Sequence, residues 1–168
     1  MSTRSDIVNA ARAVFQAGGA PSFSIRAVAA RVGLTPMAIY RHFDNKQALL
    51  DALVVEAIEE WRRRVAAIPA AAPAEWLRKM SEAYLEFALR TPRKYEAAFL
   101  TPSPTALRYP DDVVGGRSSA VSLQLTLLEE LAVSRGASRT TAAEMLIIIT
   151  GLSQGLVTLY RAGRIAGG

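Results

Sequence analysis

Thr35, Tyr40, Arg41, His42 and Lys46 stand close together in the run T-P-M-A-I-Y-R-H-F-D-N-K, with Pro36 and Met37 among them. Side chains of these types do non-covalent chemistry: hydroxyls and an ammonium hold phosphate oxygens, and an arginine fork also matches a base edge. Ser24 and Arg26, a little upstream, add a hydroxyl and another guanidinium. His42, beside Arg41, suits a phosphate, a groove edge or plain solvent. Nothing comparable supports covalent catalysis. The chain has one histidine, no cysteine, no glycine-rich phosphate loop and no H-E-x-x-H. The pairs Asp111-Asp112 and Glu129-Glu130 are adjacent in sequence and splay apart on a helix. No catalytic residue, metal or cofactor is expected.

Short helices must position the cluster. Ile25, Val28, Ala29 and Val32 recur at i, i+3, i+4 and i+7, giving one apolar stripe opposite Arg26 and Arg31. Ser24 is placed to cap this helix, and Phe23 to fold back onto Val28. Gly33 supplies a left-handed C-cap, and Leu34 returns to the core. Thr35-Pro36 then starts a second helix, expected from Pro36 to about Phe43, with Leu34, Ala38, Ile39 and Phe43 inward. Two short helices about a glycine turn form a helix-turn-helix, whose second helix fits the major groove. Asp44 is the expected cap of a third helix, with Gln47 at its third position and Lys46 in a first turn that favours a phosphate. Ile7, Ala10, Ala11, Val14 and Phe15 predict a preceding helix from about Thr3 to Ala17, stopped by Gly18-Gly19 and Pro21, which closes a three-helix head. Arg4, near its start, either reaches a DNA backbone or stays solvated.

The run G-L-T-P-M-A-I-Y-R-H-F-D-N-K-Q-A-L-L, preceded by A-V-A-A-R-V, resembles the DNA-binding domain of the TetR family of one-component bacterial regulators. The likeness covers roughly residues 4 to 55, and the placement of Tyr40, Phe43 and Lys46 after Gly33 is more discriminating than a generic helix-turn-helix. The resemblance implies that Thr35, Tyr40 and Lys46 touch phosphates while Pro36, Met37 and Arg41 lie nearest the bases. With Ser24, Arg26 and His42 these make the expected DNA-binding set. Met37 is a departure, because the family often has a smaller residue there. Neither Pro36 nor Met37 can hydrogen-bond a base through its side chain, which favours thymine methyls and leaves Arg41 as the hydrogen-bonding reader. The implied function is a sequence-specific transcriptional regulator, a repressor released from a pseudo-palindromic operator when a small apolar or amphipathic ligand binds the C-terminal domain. A ligand-independent architectural DNA binder and a helical-bundle enzyme are the rivals.

Charge agrees with a DNA-binding head. Residues 1–50 hold six Lys/Arg against two Asp/Glu, whereas residues 51–168 hold fourteen against thirteen, so nearly all of the net +5 sits on the helix-turn-helix. The absence of cysteine and of an apolar signal-type segment in the first twenty residues suits the bacterial cytoplasm, at the nucleoid when DNA is bound.

The remainder is expected to be all-α, giving a helix-turn-helix domain over 1–50 and a helical regulatory and dimerisation domain over 51–168. The third helix continues through Leu53, Ala57 and Trp61 to about Ala67 as a strut. Arg62 to Arg64 form a basic cluster read chiefly as a solvated face. Pro69 to Pro73 is a linker, and a helix follows over about 74–90. Thr91-Pro92 opens a short helix by the same cap-and-proline device as Thr35-Pro36. Trp61, Trp76, Met80, Tyr84, Phe87, Tyr95, Phe99 and Tyr109 are either core or the lining of a ligand pocket. Two helices close the chain, one over about 117–134 and one from Thr141, capped with Glu144, to about Arg161. The last is apolar nearly all round, yet Thr150, Ser153, Gln154 and Thr158 interrupt it, so a membrane span is not expected. A second copy is expected to cover it through Leu125, Leu128, Ile148, Gly151, Leu152, Gly155 and Leu159, making a homodimer whose two heads meet successive major grooves.

Overall fold

The computed structural model describes residues 3–108, 112 and 115–165, and among them there is no strand. The chain divides into two compact units, Met1–Trp61 with Thr91–Ala106, and Arg62–Arg90 with Leu107–Gly168. The division falls within one long helix.

In the first unit, α1 (Arg4–Ser22) starts with a capping box in which Thr3 and Asp6 satisfy each other's backbone N–H. The expected stop at Gly18-Gly19 is a kink instead. Gly19 takes φ 68°, and helical backbone resumes through Ser22 with Pro21 inside it. The resumption has a distant cause: a Glu96 carboxylate oxygen accepts the Ala20 N–H at 2.9 Å, capping the second segment. Next, α2 (Ile25–Val32) is capped by Ser24 and closed by Gly33 at φ 68°, with the Leu34 N–H donating to the Ala29 carbonyl. Phe23 packs edge-on against Phe15 in the same core as Val28.

The second helix of the motif, α3 (Pro36–Tyr40), is shorter than expected. His42 and Phe43 N–H both donate to the Ile39 carbonyl, so the chain turns away before Phe43. In α4 (Lys46–Ala66) the cap is Asn45, not Asp44, because the Asn45 side-chain oxygen accepts the Ala48 N–H at 2.8 Å. Gln47 is thereby freed from capping, and its amide donates to Asp51 and to the Pro102 carbonyl, each at 2.9 Å.

The first unit also contains α6 (Pro92–Tyr95), which runs into a π-helical turn, Glu96–Leu100. Thr91 does not cap α6 through its hydroxyl, since φ −128° and ψ 57° turn it out of the capping conformation. Polar contacts tie this segment to the head: Glu96 to Ala20, Lys94 to Glu60, and Pro102 to Gln47. Trp61 and Tyr95 both lie against Phe99, at ring-centroid distances of 5.8 and 5.4 Å.

In the second unit, α5 (Pro73–Arg90) buries Trp76, Met80, Tyr84 and Phe87 along one face. The chain ends in α7 (Ser119–Ser134) and α8 (Arg139–Arg161). The cap of α8 is Ser138, whose hydroxyl accepts from the Thr141 N–H, so the helix starts ahead of the Thr141 and Glu144 pair. Leu128, Ala142 and Leu146 form a buried cluster in this unit, with Leu77, Val121, Leu125, Met145 and Ile149 packed against them.

Candidate nucleic-acid interface

The surface of the head is built on two anchors. Ala38 and Ile39 are buried, Ile39 completely, and hold α3 against the core of α1, α2 and α4. A helix so short has no stability of its own, so these anchors and its cap hold it in place. The Thr35 hydroxyl accepts the Ala38 N–H at 3.3 Å, and the Ser24 hydroxyl accepts the Ala27 N–H at 3.2 Å. Each hydroxyl keeps its own proton free to donate outward.

The outward side of α3 carries Pro36, Met37 and Tyr40, with Met37 74% exposed and Tyr40 45%. Arg41 lies past the last helical residue, as the C-cap, and is exposed together with His42. Lys46 is the first residue of α4, with its ammonium 5.9 Å from the Phe23 ring centroid. Arg26 is exposed on α2. Among the described residues, Arg26, Arg31, Arg41 and Lys46 form no ion pair with a carboxylate, and so remain available to an external anion. The Arg4 guanidinium, left open between two roles by its sequence, stacks 4.5 Å above the Phe43 ring.

All nine residues of the expected DNA-binding set are thus exposed on the helix-turn-helix and the start of α4. What the sequence pattern missed is the support behind them. Asn45 was hidden by its neighbour Asp44, an equally good cap by type, while Glu96 lies 76 residues from Ala20 and leaves no local signal.

The remaining candidates fall differently. Trp76, Met80, Tyr84, Phe87 and Tyr95 are buried side chains, and Trp61 and Phe99 are partly buried. Trp61, Tyr95 and Phe99 belong to the first unit, and Trp76, Met80, Tyr84 and Phe87 to the second. Tyr109 lies outside the described residues. A shallow depression of about 430 Å³ is lined by Thr126, Glu129, Glu130, Val133 and Ser134, none of them aromatic. Leu128 needs correction as a dimer-face residue: it is 1% exposed, because it packs on Ala142 and Leu146 inside its own unit. Leu125 is partly buried beside it. Ile148 and Leu152 are 65% and 62% exposed, Leu159 is exposed as well, and a Cβ added at Gly151 or Gly155 would meet nothing. By length and composition alone α8 could cross a membrane, and most of it is uncovered.

Residues 7–53 match the profile described as bacterial regulatory proteins, tetR family, and residues 77–167 match the one described as tetracyclin repressor-like, C-terminal domain. The HTH-type transcriptional regulator UidR of Escherichia coli K12 is 37% identical over 54 residues, which span 32% of this chain and 28% of that protein. The structure of a TetR variant from Acinetobacter baumannii AYE in complex with minocycline matches with a TM-score of 0.62 at 19% identity, over 96% of this chain and 83% of that one. BioQ with its double-stranded DNA operator matches with a TM-score of 0.57 at 19% identity, over 98% and 94%. At such identities the structural likeness speaks for the fold.

Proposed function

The chain belongs to the tetR family of bacterial regulatory proteins, and from that premise we propose that it is a repressor that binds a pseudo-palindromic operator as a homodimer. The observation that carries the proposal is the head surface: an exposed helix of groove-sized width, pinned by Ala38 and Ile39 and bordered by cations that no carboxylate among the described residues engages. Thr35, Tyr40 and Lys46 hold phosphates and set the register, with Ser24, Arg26 and His42 beside them. Pro36, Met37 and Arg41 face the bases.

The second copy docks on α8, whose apolar side shows Ile148, Leu152 and Leu159, with the bare glycines Gly151 and Gly155 letting backbones approach closely. Two recognition helices related by a two-fold axis then enter major grooves about 34–36 Å apart. Dimerisation accounts for the uncovered helix better than a bilayer does, because Thr150, Ser153, Gln154 and Thr158 punctuate it and the C-terminal domain profile spans it. The protein works in the bacterial cytoplasm, without catalysis. A small apolar or amphipathic ligand of the C-terminal domain releases the operator; that a protein of the same fold, the Acinetobacter TetR variant, is found in complex with a small molecule, minocycline, supports a ligand by analogy. Such a ligand shifts the equilibrium only by its differential affinity for the DNA-competent and released states.

The test is a gel-shift titration of the intergenic DNA beside the protein's own gene, over a salt series. Tight binding to one short inverted repeat, with log K falling linearly against log salt, supports the proposal. Equal binding to random DNA points instead to an architectural role, and no binding at low salt overturns both.

A further inference from the structure

We propose that Met37 makes the head a reader of the C5 methyl group in the major groove: each half-site contains one thymine recognised by apolar contact, and 5-methylcytosine at that position is accepted in its place. The inference deepens the DNA-binding reading above and rests on it.

Met37 is 74% exposed although it sits beside the buried anchors of a capped helix, so its Cβ is fixed while its thioether projects freely. Its neighbours on the outward side, Pro36 and Tyr40, leave the tyrosine hydroxyl as the one side-chain hydrogen-bonding group on that face of α3. Arg41, which the sequence pattern made the principal reader, is beyond the last turn. The centre of the surface is therefore apolar and its border cationic, with Arg26 and Lys46 exposed around it. The border complements phosphates, which commits the apolar centre to the groove floor.

Every base pair lines the major groove with hydrogen-bonding groups, and the thymine methyl is the apolar group among them. A thioether pressed on a carbonyl or amino edge would strip its water and return almost nothing, whereas against a methyl it removes apolar surface from water. The flexible, unbranched side chain lets the contact form without moving α3. Because methionine neither donates nor accepts strongly, it does not distinguish O4 of thymine from N4 of cytosine, so the methyl itself is what it recognises.

The experiment is a competition titration of the operator in which symmetric pairs of thymines are replaced, one position at a time, by deoxyuridine, which lacks the methyl. Wild-type protein is expected to lose about fourfold per half-site at one position, the worth of one buried methyl. Cytosine at that position should bind as weakly as deoxyuridine, and 5-methylcytosine should recover most of the loss. The Met37→Ala variant, whose folding is checked by its helical circular dichroism and melting curve, should bind with the lowered affinity and be indifferent to the methyl. A flat deoxyuridine profile for wild-type protein overturns the inference and leaves operator binding intact, as does a profile that Met37→Ala retains. Failure of the unmodified operator to bind at all defeats the functional reading itself.

Discussion

Gly19 is held at φ 68°, and a Cβ there would come within 2.5 Å of the Arg93 guanidinium and 2.7 Å of a Glu96 oxygen. Gly19→Ala therefore adds backbone strain and pushes on the ion pair that caps Ala20. It should destabilise the protein by about 2 kcal/mol, seen as a fall of roughly 5 °C in melting temperature. Glu96→Ala removes the acceptor of a partly buried N–H and should lower stability by about 1–3 kcal/mol in chemical denaturation. In the proposed DNA complex, Lys46→Ala would delete one phosphate contact per subunit. Affinity for every sequence should drop together, and the salt slope should become shallower by about one per subunit. Arg41→Ala, by contrast, should relax preference at particular bases.

The helices were largely legible from apolar spacing and cap residues, and the exceptions have two causes. The stripe of Ile25, Val28, Ala29 and Val32, its Ser24 cap and its Gly33 stop depend on neighbours within one turn, and the structure has them as the local rules require. Asp44 and Asn45 are adjacent residues of similar capping strength, so sequence alone leaves a shift of one residue open. Asn45→Ala should therefore lower stability by about 1 kcal/mol in denaturant titration, while Asp44→Ala should have little effect. The cap of α8 moved likewise, from Thr141 to Ser138, three residues earlier and an equally good cap by type, so that the helix begins at Arg139. The continuation of α1 past Gly19 was illegible for another reason: its acceptor is contributed by the π-helical turn, far along the chain. For the head, residue types and spacing sufficed to find the exposed DNA-binding candidates. The aromatic set was ambiguous from the start, because helical spacing is the same for a core and for a pocket wall.

At the scale of the whole molecule, the proposed dimer places a second copy on the uncovered face of α8. Leu152→Glu, at a side chain 62% exposed, should leave folding nearly unchanged but produce a monomer in sedimentation, with operator affinity falling at least about a hundredfold as the two heads part. Leu128→Glu, at a buried side chain, should unfold the second unit instead. The brevity of α3 bears on how such a regulator changes its target over generations. Ala38 and Ile39 maintain the architecture, while Met37 and Arg41 stand in solvent and contribute little to it. After gene duplication, those outer positions can mutate without threatening the fold, so two descendants can acquire separate operators through one or two codon changes.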